Sequence, residues 1–294
     1  MLASELLDEI YAAYRGKTVD RTPAWSEAKA VRAITIANRK IREWATDPNN
    51  RWASLFNVTP PNEPGTVATA GTTTLTGTST SFTDYQVGDK ITVSGETVRT
   101  IASITSDTVL DVTAAFSNTA SGKTFTRTTI VDDADYSYNL HRSFFMPSDY
   151  ILVEKTDGTN IQYPIVPPPR RDQYVQALYI SGINPKKVTF AQTIDAGIDG
   201  ATLKVPGYYI PAELSAEADL VPVDIPEWLV YITASELARN DAAKEDQVAN
   251  LVGQANDLYR KMIDNNNGGA FLQGITITNN MPNVGSATDD DWLD

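Results

Sequence analysis

Residues 60–65 read PPNEPG, and from there to Arg127 the chain changes texture, from mixed apolar and charged sequence to one dominated by Thr, Ser, Gly and Val. Proline fixes φ and has no N–H to donate, so neither a helix nor a central strand runs through such a segment. Beyond it VATA, TTLT, KITVS, TVRTIASI, TVLDV and KTFTR follow one another across turn signals such as Ser94-Gly95 and Ser106-Asp107. Short β-branched runs at that spacing predict a small antiparallel sandwich or barrel over residues 62–128, inserted into a chain of different character. Phe82, Tyr85, Phe116 and Phe125 are the large side chains of a segment otherwise poor in them. Burying them supplies most of the hydrophobic stabilisation available there, so they are expected in its core.

Working outward, residues 1–61 read as helical. Leu6, Leu7, Ile10, Tyr11 and Tyr14 recur at helical spacing after Ser4, a candidate N-cap, and Gly16 is placed to end the helix. Thr22 and Pro23 read as the cap and first residue of a longer helix, whose apolar face carries Val31, Ile34, Ile41, Trp44 and Ala45 until Asp47 and Pro48 stop it. Residues 129–264 are mixed. YILVEK and NIQYPIV flank Asp157-Gly158, a hairpin signal, and ALYISG, KKVTF, ATLKV and YYIP follow as further strands, with PIVPPPRR as a rigid extended connector. Asp224 and Glu227 resemble a capping box opening a helix at Trp228, Leu229 and Ile232 that loosens near Asn240-Asp241. A last helix shows in Val248, Leu251, Val252, Ala255, Leu258, Tyr259 and Met262, and NNNGG ends it. The expected class is α+β: a helical bundle from both chain ends, a middle antiparallel sheet, the inserted all-β domain, and an extended arm over residues 265–294.

Composition limits the chemistry. The 294 residues hold 24 Lys and Arg against 37 Asp and Glu, a formal charge of -13, so the average surface repels nucleic acid and anionic membrane. Without cysteine there is no disulfide, thiolate nucleophile or Cys-ligated zinc, and His141 alone supplies no histidine metal cluster. The N-terminus MLASELLDEI lacks the basic flank and apolar run of a signal peptide, and no stretch reaches the roughly 18 apolar residues of a membrane span. There is no phosphate loop, nucleophile elbow or HExxH; the SGK at 121–123 lacks the preceding glycine of a P-loop. His141 beside Arg142 has no evident nucleophile or partner in sequence and reads as a structural or surface histidine. Asp132, Asp133 and Asp135, and the run Asp289 to Asp291, match no calcium-loop spacing and read as solvated acidic clusters. Neither catalytic residues, metal nor cofactor are expected.

Two phrases carry a resemblance. FFMPSDYILVEK at 144–155 looks like an apolar, Pro, Asp, then strand phrase, and YYIPAELSAEADLVPVDIPEWLVYITASELA looks like a Tyr-Tyr, Pro, Leu, Asp, then Pro-capped helix phrase. With two helices before them and a helix and arm after, they make the chain outside 62–128 resemble the head-to-tail adaptor (connector or neck) proteins of tailed bacteriophages. The insert, with GTSTSFTDYQVGDKITVSGET, is similar to Thr-rich β modules of phage virion proteins; compact adaptors lack one. The resemblance implies a non-enzymatic structural protein of the virion neck, assembled in the host bacterial cytoplasm. It would form a ring of its own copies under the dodecameric portal, extend the channel through which genome DNA passes without sequence-specific binding, and present the surface to which tail or nozzle proteins attach. No membrane is involved. The arm, through Phe271, Leu272, Ile275, Ile277, Trp292 and Leu293, is the expected portal-binding segment, since spaced apolar residues anchor an extended peptide on a partner. The alternatives are a tail-completion or neck protein one layer below, and a module that binds glycan or a host surface through aromatics of the insert.

Overall fold

The computed structural model describes residues 1–15, 26–47, 51–167, 177–183, 185–191, 196–239 and 244–266. The fold is mixed α+β, with four helices and several antiparallel sheets among the described residues. Helices α1 (Ala3–Arg15) and α2 (Glu27–Ala45) lead into a 3-10 turn at Ala53–Leu55 and strand β1 (Phe56–Asn57). Seven strands follow: β2 (Thr66–Ala70), β3 (Thr74–Thr78), β4 (Lys90–Val93), β5 (Arg99–Ser106), β6 (Val109–Val112), β7 (Thr119–Lys123) and β8 (Phe125–Thr128). Eight more come next: β9 (Ser137–Asn139), β10 (Phe144–Pro147), β11 (Tyr150–Glu154), β12 (Asn160–Pro164), β13 (Leu178–Ser181), β14 (Lys187–Phe190), β15 (Thr202–Lys204) and β16 (Gly207–Tyr209). Helices α3 (Pro226–Ala238) and α4 (Glu245–Asn266) close the described chain.

Helix α3 packs against α1, α2 and α4. That position explains its composition: Trp228, Leu229, Val230, Ala234, Leu237 and Ala238 are buried around most of its circumference, as in a helix enclosed on all sides. On α2 the buried line is Ala33, Ala37, Ile41 and Trp44, with Ile36 beside it, and Val31 is 61% exposed. At about 100° per residue Val31 stands roughly 200° from Ala33, so it faces away from the core to which the sequence assigned it. Trp52 is fully buried and donates from Nε1 to the Trp44 carbonyl oxygen at 2.8 Å, while the Tyr259 hydroxyl bonds Asp47 Oδ2 at 2.9 Å. These contacts hold α4 to the end of α2 and the strap after it.

The helix starts differ from the caps expected. Ser4 lies inside α1; the free N–H groups of Ala3 and Ser4 donate instead to the carbonyls of Asp219 and Glu217, at 2.8 and 3.1 Å. A distant loop does the work that a local side chain does elsewhere. Asp224 does not cap α3: the cap position is Ile225, without a side-chain bond, and Pro226 at the first helical position has no N–H to satisfy. For α2 the described start is Glu27 after Ser26; Thr22 and Pro23 lie outside the described residues, as do Gly16, Pro48 and Asn240-Asp241.

Strands from residues 129–209, joined by β1, give three small antiparallel sheets where one was expected, ordered β1-β16-β10, β12-β11-β15 and β13-β14-β9, around a shared core that includes Tyr138, Ile151, Val153, Leu178 and Val188. The Asp157-Gly158 hairpin forms as predicted, Asp157 Oδ1 accepting from Thr159 N and Gly158 taking a positive φ of 84°. Of PIVPPPRR, residues 168–171 lie outside the described residues.

The seven strands β2 to β8 form a sheet of order β7-β2-β3-β6-β5-β4-β8. Its core, including Val67, Leu75, Ile91 and Leu110, contains all four of the aromatics Phe82, Tyr85, Phe116 and Phe125. The sheet curls without closing, since β7 and β8 are its edges and do not pair with each other. Strand β7, TASGK, is not among the β runs read from the sequence, since Ala, Ser and Gly carry little strand signal. The incoming and outgoing chain meet: Glu63 N donates to Phe125 O at 2.9 Å. Just beyond, Gly65 has φ +85°, and a Cβ there would lie 2.4 Å from the Thr78 carbonyl oxygen, so the sharp entrance into the sheet requires glycine.

Candidate functional site

The most unusual chemistry lies where the curled sheet meets the three small sheets. Glu63 from PPNEPG, Asp89 before β4, Arg127 on β8 and His141 before β10 are all buried there. Arg127 occupies an inward position of β8, two residues after Phe125 and on the same face of the strand. Its Nε is 3.3 Å from Glu63 Oε1 and one terminal nitrogen is 3.6 Å from Asp89 Oδ2. The other terminal nitrogen donates to Asn139 O at 2.9 Å, and the guanidinium carbon stands 4.7 Å from the centre of the Tyr85 ring. Asp89 accepts from Ile130 N at 3.0 Å and Gln86 N at 3.2 Å. Burial still raises its pKa above the usual value, against the pull of Arg127 and those two N–H groups.

Further bonds cross the same joint. Asn139 Nδ2 donates to Asp84 O at 2.9 Å, Arg142 Nε meets Asp84 Oδ2 at 2.6 Å, and Gln86 Nε2 reaches Ser137 O at 3.3 Å. Desolvation of these buried ions offsets much of their attraction, so their net contribution to stability is small, while removing one partner leaves a buried charge uncompensated.

His141 has partners that the sequence did not reveal. Ser143 Oγ is 2.7 Å from Nδ1, the Ser143 backbone N–H donates to the same Nδ1 at 3.1 Å, and Nε2 lies 3.2 Å from Asn62 O and 3.6 Å from Glu63 Oε2. A backbone N–H always donates, so Nδ1 is the acceptor and the ring proton sits on Nε2, facing Asn62 and Glu63. Serine, histidine and glutamate thus stand in line, correcting the expectation that His141 has neither nucleophile nor partner near it. The line is a poor catalytic relay. The serine hydroxyl shares Nδ1 with its own amide, two residues along a tight turn, and Glu63 is already engaged by Arg127. Burial lowers the His141 pKa from its ordinary value, Glu63 opposing, which keeps the ring neutral.

This neutral, buried imidazole makes stability depend on pH. The unfolded chain takes up a proton at about pH 6.5, where the folded ring resists it, so the stability due to neutral His141 is complete above that value and is lost as pH falls below it. Asp89 acts in the opposite sense in its own window: with a raised folded pKa, it relieves the cost of its buried charge as pH falls through that value. The urea midpoint is expected to be lower at pH 5.5 than at pH 7.5, and His141→Gln is expected to flatten that difference. An equal slope in the variant would remove His141 as the cause.

Two hollows flank this joint. One, of about 900 Å³, lies between it and the helical bundle; the other, of about 450 Å³, lies between Lys90, Arg127 and Lys204. Asp132, Asp133 and Asp199 bring carboxylates within 4.8 Å of one another at the surface, but Asp132 Oδ1 accepts from Ala134 N and Asp199 Oδ1 from Asp133 N. Asp135 stands apart and meets Gln86 Nε2 at 3.4 Å. The arm residues Phe271, Leu272, Ile275, Ile277, Trp292 and Leu293, and Asp289 to Asp291, lie outside the described residues. No helix among the described residues is long and apolar enough to cross a membrane. No protein-family model matches this chain, and no curated protein matches it.

Proposed function

We infer that the chain is a non-enzymatic structural protein of a tailed-phage neck, a head-to-tail adaptor that forms a ring under the portal, extends the DNA channel and offers the tail its attachment surface. The observation that carries this reading is the joint itself. The four helices share one core and the curled sheet has another, the chain entering and leaving that sheet meets at the Glu63–Phe125 hydrogen bond, and buried Glu63, Asp89 and Arg127 pair beside it. The β module is thus read as an insertion over residues 62–128 in the adaptor body, and residues 265–294 as the portal-binding arm. A module carried on a ring needs a directional joint, and charge-assisted bonds supply direction where apolar contact alone does not. The acidic surface agrees with a conduit that does not grip DNA. In a ring each subunit repeats one heterologous contact, and one arm per subunit multiplies a weak contact into avidity.

Co-sedimentation with a cognate portal ring tests this. The full chain is expected to add a ring beneath the portal, and the chain ending at Asp264 is expected not to. If neither binds, the adaptor reading falls and a position further down the neck takes its place.

The Ser143–His141–Glu63 line favours a second reading, a serine hydrolase. Because Nδ1 is saturated by the Ser143 turn, a fluorophosphonate probe is expected to leave Ser143 unlabelled. Labelling that Ser143→Ala abolishes would establish the enzyme instead. The glycan alternative loses the aromatics that suggested it, since they are buried in the curled sheet.

A further inference from the structure

We propose that the smaller hollow, of about 450 Å³, is a binding site for a small phosphomonoester whose body carries hydroxyl groups, such as a sugar phosphate. The inference does not rest on the adaptor reading. The hollow forms because one length of chain serves two sheets. Strand β8 pairs with β4, Thr128 opposite Lys90 and Thr126 opposite Thr92. Directly beyond it Leu203 N donates to Thr129 O at 2.9 Å, and Ile130 bridges Thr202 of β15. Lys90, Thr126 and Thr128 share one face of their strand pair, Glu154, Thr202 and Lys204 share one face of theirs, and all six line the hollow.

What these groups leave unused defines the ligand. Among the described residues the hydroxyls of Thr126, Thr128, Thr129 and Thr202 have no protein partner, and Lys90 has no ion-pair partner. Lys204 is shared with Glu154 at 2.7 Å, but that pair is about a third exposed, so its ammonium turns toward a ligand at little cost. Arg127 also lines the hollow, yet its charge is met by Glu63 and Asp89, which do not line it. Two ammonium groups therefore face the space, with Glu154 as the one carboxylate among its described lining residues. That reverses the balance of a chain whose acids outnumber its bases 37 to 24.

Two cations match a dianion. A phosphomonoester carries a charge of about −2 near pH 7 and presents acceptor oxygens that the threonine hydroxyls donate to. Once Lys204 turns to the phosphate, the Glu154 carboxylate is left to accept from hydroxyls on the ligand's body. Leu203, Val205 and Tyr209 supply apolar wall for its carbon skeleton. Size agrees, since hollows of roughly 300–1,000 Å³ hold small organic ligands, and a bare phosphate would leave most of this one unfilled.

Ligand-observed NMR on the full chain tests the proposal with glycerol 3-phosphate, ribose 5-phosphate and glucose 6-phosphate, beside glucose and inorganic phosphate. At least one ester is expected to bind, with glucose and inorganic phosphate roughly tenfold weaker or more. Lys90→Met and Lys204→Met are each expected to weaken the best ester about tenfold, as for loss of one of two charge-assisted contacts. Lys29→Met, on α2, is expected to leave binding unchanged. Both site lysines reach solvent, and an unchanged circular dichroism spectrum verifies that each variant is folded. No binding of any ester at about 10 mM overturns the proposal, as does undiminished binding in both site variants. Glucose bound as tightly as its phosphate overturns it in favour of a neutral sugar, and inorganic phosphate bound as tightly as the best ester overturns the hydroxyl-bearing body.

Discussion

Replacing Arg127 by Met is expected to destabilise the protein by about 3–5 kcal/mol, measured as a fall in the denaturant midpoint, because it leaves two buried carboxylates facing each other without a cation. Glu63 and Asp89 are both buried, and Arg127 is the cation between them. Lys204→Met supplies the comparison. Lys204 Nζ is 2.7 Å from Glu154 Oε2, a shorter contact than either made by Arg127, yet both side chains are about a third exposed. Water and salt screen that pair, so its loss is expected to cost at most about 1 kcal/mol. Burial, and not distance, sets the order of the two effects.

A triple variant separates unpaired charge from lost packing. Adding Glu63→Gln and Asp89→Asn to Arg127→Met removes the stranded charges, and is expected to recover more than half of the loss. If the triple variant is no more stable than Arg127→Met, the arginine's packing against Tyr85 carries the effect instead. Arg127→Lys is not expected to restore the joint, since one ammonium cannot reach Glu63, Asp89 and the Asn139 carbonyl in the planar arrangement that the guanidinium uses.

The joint was only partly legible in the sequence. PPNEPG marked the place, and the strand runs after it fell close to their places in the sheet, because period-two patterning and turn residues are local properties. The same locality hid the site. Arg127 stands in FTRT with the parity of a core residue, which is a readable signal, but nothing nearby names its partners: Glu63 precedes the sheet and Asp89 lies between two of its strands. Caps failed for a related reason. Ser4 and Asp224 have the right side chains one or two residues from a helix start, but α1 takes its acceptors from residues 217 and 219 and α3 needs none at Pro226. Periodicity found α4 because its stripe is long, and misassigned Val31 because a helix seen only by its apolar residues has no fixed phase until its neighbours are known.

Trp52→Ala tests whether the protein holds together as one core or as several. The indole is fully buried, its centre 5.2 Å from that of Trp44 and 6.1 Å from that of Tyr259, and its Nε1 bonds the Trp44 carbonyl. Truncating it removes apolar burial, leaves a cavity and strips a buried carbonyl of its side-chain donor, so a loss of about 3–5 kcal/mol is expected. That loss should fall on one region. The core containing Trp52 joins the four helices and the segments beside them, and shares no residue with the core of the curled sheet. Hydrogen exchange in the variant is therefore expected to quicken across α1 to α4 and the Ala53–Leu55 strap, while the amides of β3, β5 and β6 keep their protection. Loss of protection in all of them together would mean that the buried ions couple sheet and bundle into a single cooperative unit, and the Arg127 variant should then unfold both as well.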